Sequence, residues 1–101
     1  MFRSVSLVVV ALTTLLATGC GANKPAAKYR IAVIPKGLTN EFWQSIHRGA
    51  ERAGADLRAK GTPVEILWDG PRKESDLSDQ IAIIQQKAAQ GIQGMVLAPQ
   101  S

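Results

Sequence analysis

The sequence predicts an α/β domain, the βαβαβ start of a doubly wound parallel sheet. Three observations carry this. Short, continuously apolar runs are bounded by Pro and Gly, as in strands buried on both faces. Between them lie longer stretches whose apolar residues recur at spacings of three and four, the period of a helix packed on one side. Each helical stretch with its flanking turns is long enough to carry the chain back over a sheet in the right-handed sense that such connections adopt.

The first run is Ile31-Ala32-Val33-Ile34, stopped by Pro35 and Gly37. Thr39 and Asn40 then offer N-cap oxygens, and Glu41 lies in the first turn, where the helix dipole favours a carboxylate. Phe42, Ile46, Ala50, Ala53 and Leu57 form one helical stripe, expected to face the core, and Gly61 and Pro63 end it. A second strand follows over Val64–Trp68, then the turn signal Asp69-Gly70-Pro71. A second helix is expected from Ser75 or Asp76, with Leu77, Ile81, Ile84 and Ala88 as its buried stripe and Gly91 at its C-terminal cap. Gly94-Met95-Val96-Leu97 reads as a third strand, closed by Pro99. Three strands and two helices leave part of such a sheet uncovered, so the domain reads as incomplete and as the N-terminal piece of something longer.

Composition narrows the function. The chain has 101 residues, 46% of them hydrophobic, with 12 Lys and Arg against 8 Asp and Glu. Both signs are interspersed, and the densest basic pair, Arg72-Lys73, is followed by Glu74 and Asp76. That is an ordinary solvated surface rather than a nucleic-acid-binding stripe. One Cys and one His exclude an internal disulfide, a CxxC redox pair and metal sites built on several Cys or His, so neither metal nor cofactor is expected. Residues 35–40 contain neither GxGxxG nor GxxxxGK[ST], which weakens dinucleotide and P-loop readings. His47 has Gln44, Ser45, Arg48 and Glu51 near it in sequence and reads as a solvated or half-buried surface residue. No catalytic set can be assembled, and the protein is not expected to be an enzyme.

Residues 1–19 follow the order of an export signal: Arg3, an apolar run over residues 5–16, then small residues. The run is shorter than the roughly 20 residues that span a bilayer and fits the roughly 7–15 of a signal-peptide core. It ends Leu16-Ala17-Thr18-Gly19-Cys20, which resembles the lipobox of bacterial lipoproteins, although Ala17 stands where Leu is usual and Leu16 lies one place too early. The resemblance implies lipidation of Cys20 and a protein tethered to the membrane surface outside the cytoplasm, with several acyl chains giving stable anchoring. Residues 20–28 read as a flexible tether, and residues 29–101 as the folded part.

In doubly wound sheets ligands bind at the carboxyl ends of the strands. Here that edge comprises residues 35–40, 69–74 and 98–101. The leader, then Ile31-Ala32-Val33-Ile34-Pro35 leading into Asn40-Glu41-Phe42-Trp43, with Gly49-Ala50 beyond, is similar to type I periplasmic sugar-binding proteins, the ribose-binding-like receptors of ABC importers. Trp68-Asp69-Gly70-Pro71, Gln80-Ile81 and Gln90-Gly91-Ile92-Gln93-Gly94-Met95-Val96-Leu97-Ala98-Pro99 resemble the second and third units of the same family.

The resemblance implies the first part of the N-terminal lobe of a two-lobed receptor that closes over a monosaccharide and is recognised by an ABC permease. It implies that Asn40 bonds a sugar hydroxyl while Phe42 and Trp43 stack on the sugar, with Gly70 and Ser101 also at the ligand edge. Three of these have a plainer alternative: Asn40 as a cap only, Phe42 as core, Gly70 as a turn. Ser101 stands where the family often places an Asp. Two other roles share the fold: a receptor module serving a sensor kinase or chemoreceptor, and the sensor domain of a LacI-like regulator. The export leader and the absence of a helix-turn-helix before Tyr29 argue against the second.

Overall fold

A computed structural model describes residues 27–100; the leader, Cys20 and Ser101 lie outside the described residues. The elements run β1 (Tyr29–Ile34), α1 (Glu41–Ala59), β2 (Val64–Trp68), α2 (Leu77–Ala89) and β3 (Gly94–Leu97). The three strands form one parallel sheet in the order β2-β1-β3. The βαβαβ reading therefore holds, and β1 is the central strand. It starts two residues before the apolar run because Tyr29 and Arg30 pair with Val64 and Glu65, a backbone requirement that hydrophobicity does not report.

Register assigns the faces. Ala32 pairs with both Leu67 and Met95, and Ile34 with Leu97, so these side chains share one face. There Ala32, Ile34 and Ile83 of α2 are buried, with Leu67, Ile84, Ile92 and Met95 packed around them. Burying one large aliphatic side chain stabilises by about 1.5–3 kcal/mol, which makes this small cluster the main hold of α2 on the sheet. The other face carries Ile31, Val33, Ile66, Trp68 and Val96. Helix α1 packs there on β2: a Cβ added at Gly54 would lie 2.8 Å from Ile66 Cγ1, and the His47 ring stacks on Trp68 with centroids 4.4 Å apart and planes 5° from parallel.

The caps follow the sequence. Asn40 caps α1, its Oδ1 accepting from Phe42 N at 2.8 Å, and Asp76 caps α2, its Oδ1 accepting from Asp79 N at 3.1 Å. Gly61 and Gly91, just past the two helices, take φ of 91° and 70°, the left-handed conformation that ends helices and suits glycine. Arg58 Nη1 donates to Val64 O at 2.8 Å, fastening the last turn of α1 to the start of β2.

Both expected helix stripes need correction. On α1, Phe42, Ile46, Ala53 and Leu57 are exposed and Ala50 is half-buried, while Gly54 is the buried residue and His47 the stacked one. On α2, Leu77, Ile81 and Ala88 are exposed, Ile84 is half-buried, and Gln80 and Ile83 are buried. Each contact face is turned about one residue from the apolar stripe. The reason is packing: α1 approaches β2 through glycine, where the backbone comes closest, and α2 is drawn in by Gln80, which satisfies backbone groups beneath it. Val96 is 59% exposed, so the α1 face of β3 is open to solvent among the described residues.

Candidate ligand-binding edge

The carboxyl ends of β1, β2 and β3 converge as expected, and the loops leaving β1 and β2 are locked together. Leu38 N donates to Pro71 O at 3.0 Å, and Thr39 Oγ1 to Arg72 O at 3.3 Å. Gln44, from the first turn of α1, reaches back to donate to Leu38 O. Two glycines set the approach. A Cβ at Gly70 would lie 2.9 Å from both Cδ and Cγ of Pro35, and one at Gly37 would lie 3.1 Å from Glu74 N. Gly70, Pro35 and Pro71 are buried and form the floor of the edge.

Asn40, Phe42 and Trp43 are brought together where α1 begins. Capping occupies Asn40 Oδ1 and leaves its exposed amide nitrogen to donate. Phe42 is 60% exposed and meets Trp43 edge-to-face, with centroids 4.9 Å apart and planes at 79°. Exposure of that size decides Phe42's position: it is not core. Trp43 is half-buried, its Nε1 donating to Glu74 Oε1 at 2.6 Å. One aromatic is thus fixed by a polar tie and the other stands free beside it, an arrangement that can cover an apolar face of a small ring while amide and carboxylate groups meet its hydroxyls.

Gly70 is also at the edge but beneath its surface, so it shapes the site by having no side chain. Ser101 lies outside the described residues. Sequence alone assigns no site role to Glu74, whose partner is 31 residues away, or to Gln80, although an amide set before Ile81, Ile83 and Ile84 is the kind of polar interruption that marks a buried tie. Behind the edge, Lys87 Nζ and Asp69 Oδ2 are 3.2 Å apart, and Asp69 Oδ1 accepts from Gly70 N, which steadies the turn after β2. Among the described residues no three His, Cys, Asp or Glu stand together to hold a metal ion. None of their helices is long and apolar enough to cross a membrane.

Comparison with known proteins finds two sugar-binding proteins similar to this chain. The chain is 30% identical over 96 residues to the D-ribose/D-allose-binding protein of Pseudomonas aeruginosa, an overlap that takes in 87% of this chain and 29% of that protein. In fold it matches the crystal structure of GanP, a glucose-galactose binding protein from Geobacillus stearothermophilus, with a TM-score of 0.59 and 25% identity over 66% of this chain and 22% of that one. No family model matches. The chain is similar to periplasmic sugar-binding proteins, and its small α/β fold with a parallel three-stranded sheet matches that of a periplasmic binding protein-like N-terminal fragment. It spans less than a third of the length of these relatives, which are binding proteins and not enzymes.

Proposed function

We propose that this chain is the first part of an extracytoplasmic solute-binding protein that holds a monosaccharide or similar small polar ligand and delivers it to an ABC importer. The observation that carries this reading is the grouping of Asn40, Phe42 and Trp43 on the strand-end edge, with Phe42 exposed and Trp43 tied to Glu74. Phe42 and Trp43 cover the apolar face of the sugar, and Asn40 donates from its amide nitrogen. Gly70 lets the first two loops approach, and Ser101 contributes a hydroxyl after β3. Residues 1–19 direct export, Cys20 carries the lipid that anchors the protein to the membrane surface, residues 20–28 form the tether, and residues 29–101 form the first part of the lobe. A second lobe completes the cleft, and ligand contacts to both lobes favour the closed state. The sugars named for the two relatives support the ligand class.

The test is calorimetric titration of the intact protein carrying this chain with D-ribose, D-allose, D-glucose and D-galactose. Saturable binding of at least one is expected, weakened about tenfold or more by Phe42→Ala and by Trp43→Ala. Binding of none of the four, or binding indifferent to both substitutions, refutes the reading. Cys20→Ala should move the protein from the membrane to the soluble fraction.

A further inference from the structure

We propose that Gln80 is a positioning residue for the ligand edge, its side-chain amide clasping the carboxyl ends of β1 and β3 at the separation that binding requires. The inference rests on the reading of this edge as the sugar site and adds to it a residue that never touches the ligand. Among the described residues Gln80 is the one buried polar side chain, 2% exposed, and it sits on α2 directly behind the edge. Its Nε2 donates to Pro35 O at 3.0 Å and to Ala98 O at 2.9 Å, so one amide group spans the ends of two strands. Its Oε1 accepts from Gln100 N at 2.8 Å. Gln100 extends the same tie, its Nε2 donating to Lys36 O at 2.7 Å.

The chemistry fits an amide and little else. Both protons of Nε2 point at carbonyls and Oε1 meets an N–H; the reversed orientation would set oxygen against two carbonyl oxygens. A carboxylate would lose both donations, and an apolar side chain would strand the buried Pro35 O and take these partners from the half-buried Ala98 O and Gln100 N–H. The ladder explains why a tie is needed here. The last described ladder link between β1 and β3 is Ala98 N to Ile34 O at 2.9 Å; beyond it Gln80 takes Ala98 O and Gln100 N, and Gln100 Nε2 takes Lys36 O, the groups that would otherwise continue the ladder. Gln80 thus bridges the strands where the described backbone ladder stops, immediately before the loops that bear the site.

Two measurements on the intact protein decide this. The first is amide hydrogen exchange at Gln100 in the unliganded wild type: protection at least about tenfold beyond an open loop amide is expected, and exchange at the open-loop rate overturns the clasp without reference to any sugar. The second compares wild type with Gln80→Met, which keeps the length but not the bonds, and Gln80→Glu, which keeps the acceptor but not the donors. Affinity for the best of D-ribose, D-allose, D-glucose and D-galactose is measured per folded molecule, below each variant's melting temperature. A loss of about tenfold in affinity, with faster Gln100 exchange, is expected for both variants. A lower melting temperature with unchanged affinity reduces Gln80 to a structural residue and overturns its positioning role. Should neither variant fold, the wild-type exchange measurement still decides. Should the wild type bind none of the sugars, the sugar reading and with it the ligand role of Gln80 fall, while Gln100 exchange separately settles whether the clasp exists.

Discussion

The indole of Trp43 and the carboxylate of Glu74 are joined by a 2.6 Å hydrogen bond that ties the start of α1 to the loop after β2. Glu74 also packs against Gly37, so a single side chain braces the β1 loop and the aromatic pair together. Without it, Trp43 would have the rotamer freedom that an exposed indole normally keeps, and ordering it would fall to the ligand.

Glu74→Ala should therefore weaken sugar binding severalfold while changing unfolding free energy by no more than about 1–2 kcal/mol, because the bond is exposed. Residues 1–101 hold two Trp, so a background with Trp68→Phe, and with any Trp in the rest of the intact protein also replaced by Phe, reports Trp43 alone. Its fluorescence anisotropy should drop in the Glu74→Ala variant. Unchanged anisotropy and affinity would show that the tie does not order the ring.

Two glycines of α1 should respond in opposite directions. Gly49 has nothing within 4 Å of an added Cβ, so Gly49→Ala should stabilise the intact protein by about 0.5–1 kcal/mol through helix propensity. At Gly54 the same Cβ would lie 2.8 Å from Ile66 Cγ1 and 3.1 Å from Arg58 Nη1. Overpacking there costs about 1–3 kcal/mol, which exceeds the propensity gain, and Gly54→Ala should destabilise. Urea unfolding of both variants checks the signs.

Gly70→Ala should harm both stability and binding. Its Cβ would press on the Pro35 ring at 2.9 Å, and neither a buried proline nor the buried turn can give way without parting the loops of β1 and β2. A loss of about 1–3 kcal/mol by urea unfolding is expected, with weaker sugar affinity in the molecules that remain folded. Full affinity would mean that the loop spacing does not matter to the ligand.

Residues 21–101 on their own should not fold cooperatively. Val96 is 59% exposed, Leu77 and Ile81 are each 45% exposed, and the buried cluster is small. A broad or absent heat-absorption peak is expected in scanning calorimetry; a sharp two-state transition would contradict it.

The order of elements was legible because it rests on local signals: apolar runs between Pro and Gly, the Asn40 cap, and glycines at the positive-φ positions 61 and 91. The convergence of the strand ends followed from the topology alone. The rotation of each helix was not legible, because periodicity marks where apolar side chains lie and cannot show that α1 would seat itself through Gly54 and His47. Nor could spacing reveal Trp43 with Glu74 or Gln80 with Ala98, pairs that depend on how loops close after the strands are in register.

The central place of β1 has a kinetic consequence. The strand earliest in the chain has both other strands as its neighbours, and neither is joined to it by a hairpin. Val64–Trp68 reaches it only after a whole helix, and β3 must come from farther still: Arg30 and Gln93, bonded at the β1–β3 seam, are 63 residues apart. Closing loops of that size comes before any reward from pairing, so this sheet assembles late and slowly for its length. β1 consequently has no strand to pair with until Val64–Trp68 has been made, and only one until Gly94–Leu97 follows.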